Sequence, residues 1–239
     1  MVTTLISDLH LEENNPHLAD IFRKFLIDCT TSSNALYILG DFFEAWIGDD
    51  DLTPFNRMII DALAQATQKG LPIYFTHGNR DFMIGKKFLN MTGCQLLPDE
   101  CVANIFGTPT LLMHGDTLCT DDIKYLKFRK KSRSAWFKFI IHLYSLKKRR
   151  EIAARYREAS KIHTRNTPEY IMDVTQDEVI RVMKKNNVLH MIHGHTHRPA
   201  VHHFKIDNND ATRTVLAAWH EQGNALICHA DGKQELINF

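Results

Sequence analysis

Residues 3–10 read TTLISDLH, an apolar run that turns polar within a few positions. The apolar part, residues 3–6, predicts a short buried β-strand, and Asp8 and His10 follow at its carboxyl end. The same pattern recurs after four later strand-like runs, whose ends carry Gly40-Asp41, Gly78-Asn79-Arg80-Asp81, His114-Gly115-Asp116 and His193-Gly194-His195-Thr196-His197. Because the carboxyl ends of strands in an open α/β sheet face one crevice, we expect these polar residues to meet in space.

The segments between these strands carry the periodicity of helices. Apolar residues recur at helix spacing in residues 18–29 and 54–69, and a further helix is predicted over residues 82–91. Residues 121–185 are predicted to be helical throughout, and strand patterns return at residues 188–192, 199–206, 212–219, 225–228 and 234–237. This order of elements predicts an α/β sandwich of sheets flanked by helices.

The long helical segment has an unusual composition. Residues 121–165 carry 15 Lys and Arg against 4 Asp and Glu, a net charge of +11 in a chain whose net charge is +1. Residues 134–146 read SAWFKFIIHLYSL, which holds too many apolar side chains for one core-facing stripe of a helix. We predict a core of residues 1–120 and 186–239 and a helical cap, residues 121–185, part of whose surface contacts something apolar.

The polar strand ends are candidate metal ligands. A single Asp or His after a strand is more often turn chemistry or a satisfied core residue, but five such motifs in order favour a shared site. The candidate ligands are Asp8, His10, Asp41, Asn79, His114, His195 and His197. Imidazole nitrogens with carboxylate and amide oxygens, and no thiolate, favour Mn, Fe or Zn, and seven ligands suit two octahedral ions that share a carboxylate. Two ions roughly 3.5–4 Å apart are typical of phosphoryl transfer, so the sequence predicts phosphoester hydrolysis.

Composition excludes several other classes of protein. Hydrophobic residues make up 44% of the chain and charged residues 24%, as is typical of a globular protein. The five cysteines show no CxxC spacing, which argues against a disulfide framework or a thiolate zinc site. No stretch approaches the roughly 18 apolar residues that span a bilayer, and residues 1–10 lack the pattern of a signal peptide. We therefore expect a monomeric protein of the cytoplasm.

The five polar motifs, Asp8-x-His10, Gly40-Asp41, Gly78-Asn79-x-Asp81, His114 and Gly194-His195-x-His197, resemble the five-block pattern of the calcineurin-like metallophosphoesterases. The longer blocks SDLHL, LGDFFEAWIGDD, HGNRDF, HGDTLCTDD, IMDV and IHGHTHRP are similar to the members of that superfamily that act in lipid A synthesis. The resemblance implies a sandwich of two mixed sheets with a helical cap. It also implies UDP-2,3-diacylglucosamine as substrate, attack of water at the α-phosphate, and UMP and 2,3-diacylglucosamine 1-phosphate (lipid X) as products. The implied location is the cytoplasmic face of the inner membrane, as a peripheral protein whose basic cap residues contact anionic lipid headgroups. An acylated substrate also implies a hydrophobic trough in the cap, lined by Trp46, Phe128, Trp136, Phe137, Phe139, Ile140, Ile141 and Tyr144.

The resemblance also implies roles for individual residues. Asp8, His10, Asp41 and His197 would hold one Mn2+, and Asp41, Asn79, His114 and His195 the other, so that Asp41 bridges the two ions and is a catalytic residue together with Arg80. The implied substrate-binding residues are Asn79, Arg80, Asp122, Ser160, Thr164, Thr167 and His195. Two of them depart from the common form of the pattern, which often has Asn at position 164 and Lys at position 167. Threonine can donate a hydrogen bond there but supplies no charge.

Arg80 gives an argument about the substrate that starts from chemistry. The wider superfamily usually has His at this place, and His can protonate an alkoxide leaving group, whereas Arg stays charged and cannot. In a pyrophosphate substrate the leaving group is already a phosphate, whose charge a guanidinium can stabilise. Arg80 therefore favours a diphosphate substrate, and the alternative is that it only pairs with Asp81.

Two other functions compete with this prediction. One is a calcineurin-like enzyme acting on a nucleotide, a soluble phosphodiester or a phosphoprotein, which would not need the apolar density of residues 136–146. The other is a nucleic-acid-binding module in which the basic segment follows phosphates. Its aromatic residues are interleaved with Ile and Leu rather than with Gly or Arg, and the seven candidate ligands would have no use. We therefore expect no nucleic-acid partner.

Overall fold

The computed structural model describes residues 1–168 and 171–239, and within them the strands form two sheets. In chain order the elements are β1 (Val2–Ile6), α1 (Pro16–Ser32), β2 (Ala35–Ile38), α2 (Pro54–Gln68), β3 (Ile73–Phe75), α3 (Lys86–Thr92), β4 (Gln95–Leu96), β5 (Cys101–Ile105), β6 (Thr108–Leu112), α4 (Ile123–Ser132), α5 (Ala135–His142), α6 (Leu146–Asn166), α7 (Gln176–Lys185), β7 (His190–His193), β8 (Ala200–Ile206), β9 (Asn209–Val215), β10 (Asn224–His229) and β11 (Gln234–Asn238). Residues 169 and 170, which fall in the predicted cap, lie outside the described residues. In the described part of the chain, no helix has the length and apolar character needed to cross a membrane.

Both sheets mix parallel and antiparallel pairs. The first has the order β11-β10-β1-β2-β3-β4, parallel from β1 to β4 and antiparallel where β10 joins β1 and β11. The second has the order β5-β6-β7-β9-β8, parallel at its centre and antiparallel at both edges. Parallel pairing directs the carboxyl ends of neighbouring strands to one edge of each sheet. The predicted α/β fold with two mixed sheets is confirmed.

Apolar side chains hold the layers together. Between the sheets, Leu5 and Leu39 of the first pack in one cluster with Leu112 and Ile192 of the second. The helices α1, α2 and α3 cover the outer face of the first sheet through a larger cluster that includes Phe22. Burial of these side chains on both faces of the sheets is the main favourable contribution to folding. The result is a helix–sheet–sheet–helix stack.

The helix predicted over residues 82–91 begins later than expected. The α3 helix starts at Lys86, because the carboxylate of Asp49 reaches across from another loop and accepts the backbone N–H groups of Gly85 and Phe88, each at 3.0 Å. A cap that comes from a distant residue leaves no local pattern in the sequence. The strands β4 and β5 were not predicted; β4 has only two residues, and both are exposed.

Residues 121–185, predicted to be helical throughout, form separate helices. The side chains of Ser134 and Ser145 accept the N–H groups of Phe137 and Lys148, at 3.2 and 3.3 Å, so each serine caps a new helix. The described residues 171–175 are not helical either. The α7 helix, which the prediction placed in the cap, packs with β6 and β7 of the core through its buried residues Val179, Val182 and Met183.

The α6 helix is fastened to the loop that follows β2. Arg149 is only 4% exposed and forms an ion pair with Asp50. Its guanidinium also donates to the backbone oxygens of Ile47 at 3.0 Å and Tyr144 at 3.2 Å. The neighbouring Arg150 pairs with Asp51 but is 53% exposed. Arg149 is therefore a buried contact between α6 and the loop that follows β2.

Replacing Arg149 with Ala should lower the free energy of unfolding by about 1–3 kcal/mol, because two backbone oxygens lose their donor. Arg150→Ala is the matched control, and loss of its exposed ion pair should cost less than about 1 kcal/mol. Urea unfolding of both variants measures the difference. Equal losses in the two variants would show that Arg149 contributes no more than a surface charge.

Candidate metal centre and adjoining cavity

The loops that carry the predicted ligands have a strained backbone. Asp8, His10 and Asp41 have φ angles of +56°, +50° and +49°, and His195 and His197 have +68° and +55°. Side chains other than glycine rarely adopt this left-handed region, and such residues cluster at functional sites. Five of the seven predicted ligands are thus held in a conformation that their own local preferences oppose.

The carboxylate of Asp41 lies between two of the histidines. Its Oδ2 atom is 3.9 Å from His10 Nε2 and 3.8 Å from His114 Nε2. On the His10 side, His197 Nε2 lies 3.3 Å from Asp8 Oδ1. Asp8, His10 and His197 form one group of converging ligand atoms, and Asp8, Asp41 and His114 form another. The position of Asp41 is that expected for a carboxylate shared by two ions.

The remaining two ligands complete the side of His114. Asn79 Oδ1 lies 3.0 Å from His114 Nε2 and 3.1 Å from His195 Nδ1, and the two histidine nitrogens are 3.2 Å apart. These three atoms, an amide oxygen and two imidazole nitrogens, all carry lone pairs and face one another across a short distance. The structure therefore brings together all seven residues that the sequence predicted.

The donor set fits divalent cations, because in several residues one polar atom is held and the other is left open. Asp8 Oδ2 accepts from Ser7 Oγ at 2.5 Å and from the His195 N–H at 2.9 Å, whereas Asp8 Oδ1 is buried without a hydrogen-bond partner among the described residues. His10 Nδ1 lies 2.9 Å from Glu44 Oε2, and His10 Nε2 is likewise buried and unpaired. Hydrogen bonds to the far atom orient metal ligands in this way.

The electrostatics of the two sides differ. Burial disfavours a charged His10, but its hydrogen bond to Glu44 and the nearby carboxylates of Asp41 and Asp8 raise its pKa to about 9. Burial and the adjacent His114 lower the pKa of His195 to about 4. The His10 side is thus a place where negative charge attracts a cation, and His195 presents a neutral imidazole with an available lone pair.

Two glycines permit the loops to approach this closely. A Cβ atom on Gly78 would overlap the backbone nitrogen and Oδ1 of Asp41, and one on Gly194 would overlap the side chains of Ser7 and Asp8. Any side chain at either position would push a ligand-bearing loop away from its neighbour. Close packing of the loops therefore explains why glycine stands at positions 78 and 194 of the predicted motifs.

Arg80 stands between this cluster and the cap. Asp81, the alternative partner considered for Arg80, accepts the backbone N–H groups of Gly78 and Phe42, both at 2.7 Å. The Arg80 guanidinium instead points toward α6, where its Nη2 atom lies 3.5 Å from Ser160 Oγ. Arg80 Nε is buried and has no hydrogen-bond partner within the described chain. The charge of Arg80 is thus directed into the space under the cap.

That space is a cavity of about 370 Å³. Asn79 and Arg80 line it, and Asn79 also belongs to the ligand cluster. Of the predicted trough residues, Trp46, Phe128, Phe137 and Ile141 line it. The other four do not: Trp136, Phe139 and Tyr144 are exposed, and Ile140 is half-buried away from the lining. Residues 137 and 141 lie on one face of α5, whereas residues 136 and 139 lie on the opposite face.

Sequence reasoning missed part of the cavity wall. The residues not predicted there are Glu44, Ala45, Ile47, Phe82, Met83, Lys124, Tyr125, Arg149, Ile152, Ala153, Tyr156, Arg157, Ala159 and His163. Within the strongly charged α6, residues 152, 156, 159 and 163 recur at helical spacing, which was the available signal. Glu44, the partner of His10, offered none, because its role depends on a contact between two loops.

The predicted substrate-binding residues have different surroundings. Asn79, Arg80 and Ser160 line the cavity, and His195 belongs to the ligand cluster. The other three are Asp122, buried at the start of α4; Thr167, which contacts His163; and Thr164, which is exposed on α6 outside the lining.

Comparisons with known proteins agree with this geometry. The family model described as calcineurin-like phosphoesterase matches residues 1–199. The chain is 47% identical over 232 residues to a protein of Azotobacter vinelandii named UDP-2,3-diacylglucosamine hydrolase, covering 97% of this chain and 96% of that protein. It is 46% identical over 239 residues to a protein of the same name from Escherichia fergusonii, covering 100% and 99%. A solution structure of a Thermotoga maritima protein, 14% identical, covers 100% of this chain and 99% of that chain with a TM-score of 0.50, which supports the fold alone.

Asp41→Ala and His114→Ala should each lower the number of Mn2+ ions retained per chain and reduce phosphoester turnover to background, because both residues stand where ligands converge. Elemental analysis after dialysis against Mn2+ measures the first effect. Asp61→Ala, which removes an exposed carboxylate of α2, is the control and should change neither quantity. Full metal retention with near-normal turnover in either ligand variant would refute the assignment.

Proposed function

The chain belongs to the calcineurin-like phosphoesterase family, and we propose that it hydrolyses UDP-2,3-diacylglucosamine in lipid A synthesis, releasing UMP and 2,3-diacylglucosamine 1-phosphate. The observation that carries this proposal is that the ligand cluster and an apolar cavity lie next to each other. Asn79 belongs to the seven-residue ligand cluster, and Arg80 follows it in the chain. Both residues also line an apolar cavity under the cap. A substrate that joins a diphosphate to acyl chains needs these two environments side by side.

In this proposal Asp8, His10, Asp41 and His197 hold one Mn2+, and Asp41, Asn79, His114 and His195 hold the second. Such a pair of ions supplies Lewis acidity and an activated water for attack on phosphorus. The residues of the chain orient the substrate: the phosphate on the uridine side lies at the ligand cluster, and the phosphate on the sugar side lies toward the cap. Arg80 then stabilises the negative charge that develops on the departing sugar phosphate.

The cap has two apolar faces with separate roles in the proposal. Phe137 and Ile141 face the cavity and contact the acyl chains. On the other face of α5, Trp136 is 69% exposed and Phe139 is 57% exposed, and Leu143, just beyond the helix, is 71% exposed. The flanking exposed basic residues are Lys130, Lys131, Lys147 and Lys148. An apolar face bordered by cations suits peripheral contact with an anionic bilayer, here the cytoplasmic face of the inner membrane.

We also propose a revised division of the chain. The packing of α7 on the second sheet argues that the cap begins near residue 121 and ends before α7 begins at Gln176, rather than at residue 185. The core then comprises the residues before and after this segment. In this division the cap carries the helices α4, α5 and α6 and forms the roof of the cavity.

Purified protein with Mn2+ should hydrolyse UDP-2,3-diacylglucosamine, and in 18O-labelled water the label should appear in UMP and not in the lipid phosphate. Mass spectrometry of both products measures the outcome. UDP-glucose, which lacks acyl chains, is the matched control substrate and should be turned over far more slowly. Label in the lipid product would overturn the site of attack, and absence of hydrolysis would overturn the proposed substrate.

Arg80→Ala should lower kcat roughly 100-fold or more, the scale of removing one group that stabilises developing charge, while the Mn2+ content stays unchanged. Arg80→His should not restore the rate, because a phosphate leaving group has no need of an acid. Steady-state kinetics and elemental analysis measure the two quantities. Loss of Mn2+ from Arg80→Ala would show that Arg80 supports the ligand cluster instead of the leaving group.

The two faces of α5 can be tested against each other. Replacing Phe137 and Ile141 with Ser should reduce kcat/KM for the diacyl substrate much more than for UDP-glucose, because binding energy from the acyl chains positions the phosphate. Replacing Trp136 and Phe139 with Ser should mainly reduce the fraction of protein that sediments together with vesicles containing anionic lipid. Matching effects of the two double variants in both assays would contradict the separation of roles.

A further inference from the structure

A group of polar side chains at one end of the cavity takes no part in the ligand cluster. His163 of α6 lines the cavity, one turn after Ser160, whose Oγ contacts Arg80. His163 Nε2 lies 2.8 Å from Asp122 Oδ2, and His163 Nδ1 lies 3.2 Å from Thr167 Oγ1. The imidazole is therefore held between two side chains, in the lining of the cavity that Arg80 also lines.

The position of Asp122 is fixed, so Asp122 determines which nitrogen of the His163 imidazole faces away from it. Asp122 is 8% exposed and stands at the N-terminus of α4, where its Oδ1 atom accepts the N–H of Tyr125 at 2.9 Å. Its other oxygen accepts a hydrogen bond from the N–H at His163 Nε2. With Nε2 engaged in this way, Nδ1 is the atom of His163 that remains for Thr167 or for a ligand.

The positive charge around Asp122, His163 and Thr167 is the reason to connect these three residues with a phosphate of the substrate. Cations border this end of the cavity, including Arg80 and Lys124. Position 167 carries a threonine, which has no charge of its own. Thr167 follows directly after the last residue of α6 and contacts His163 of that helix, so a protonated imidazole at 163 would place positive charge within reach of the same spot.

We propose that His163, oriented by Asp122, is a substrate-binding residue that donates from Nδ1 to the phosphate attached to the sugar. The inference rests on the proposed function, which puts that phosphate on the cap side of the ligand cluster. It assigns to Asp122 a positioning role, through His163, and to His163 the direct contact. Thr167 adds a hydroxyl donor to the same phosphate.

The test separates charge from mere support of the helices. His163→Gln keeps a side chain that can donate to Asp122 but that cannot carry a positive charge. His163→Ala combined with Thr167→Lys returns the charge from the neighbouring turn. His203→Ala removes an exposed histidine of β8 and is the control. The readouts are KM for UDP-2,3-diacylglucosamine, kcat, and the inhibition constant of the product 2,3-diacylglucosamine 1-phosphate, with thermal melting to verify folding.

His163→Ala and His163→Gln should raise KM and the product inhibition constant roughly tenfold to a hundredfold, the worth of one charged hydrogen bond, with a smaller change in kcat. Adding Thr167→Lys to His163→Ala should restore both constants to within about threefold of the wild type. His203→Ala should match the wild type.

Three results would overturn the proposal. Unchanged constants in His163→Ala, in an enzyme that turns over normally, would remove His163 from the binding site and leave the proposed function intact. Wild-type constants in His163→Gln, with no rescue by Thr167→Lys, would make His163 a structural link between α4 and α6. A wild-type protein that neither hydrolyses the substrate nor is inhibited by the product would refute the proposed function and this inference together.

Discussion

The burial of two carboxylates at one edge of the sheets is the constraint on which the rest of this structure depends. Asp8 is 0% exposed and Asp41 is 2% exposed, and buried anions are costly unless neighbouring groups compensate them. Compensation comes from backbone donors and from imidazoles that converge on the open carboxylate oxygens. Such convergence requires left-handed loop residues and glycines at the points of closest approach, such as Gly78 and Gly194. A cation site and a strained backbone are two aspects of the same arrangement.

The cap extends this arrangement into a second environment. Glu44 binds His10 through one oxygen, and its other oxygen lies 3.9 Å from Arg157 of α6, so a residue that orients a ligand also touches the roof of the cavity. Arg149 links the same helix to the loop after β2. Charged contacts fasten the cap at these points, while the cavity between them is lined largely by apolar side chains. Acyl chains bound there would hold a diphosphate against the polar edge, which connects the lipid-binding role to the chemistry.

Local patterns predicted most of the secondary structure, and the two main errors have different causes. The α2 helix begins at Pro54, as predicted, where the Thr53 side chain accepts the N–H of Asn56 within the first turn. The α3 helix begins four residues later than predicted because its cap comes from Asp49, far away in sequence. The helical segment over residues 121–185 is interrupted, and the serines that cap its helices give a weaker signal than its apolar residues. At α3, a contact between distant residues overrides the local preference.

The sequence by itself determined most of the strands and helices and the seven residues that meet at the strand ends. Alternation of apolar residues and the polar ends of strands are local properties, so one chain is enough to reveal them. Only the tertiary structure decided which cap side chains face the cavity, that α7 packs with the core, and that Asp122 meets His163. Each of these depends on how helices rotate and pack against other elements, and the same amphipathic pattern is compatible with several such rotations until the neighbouring elements are in place.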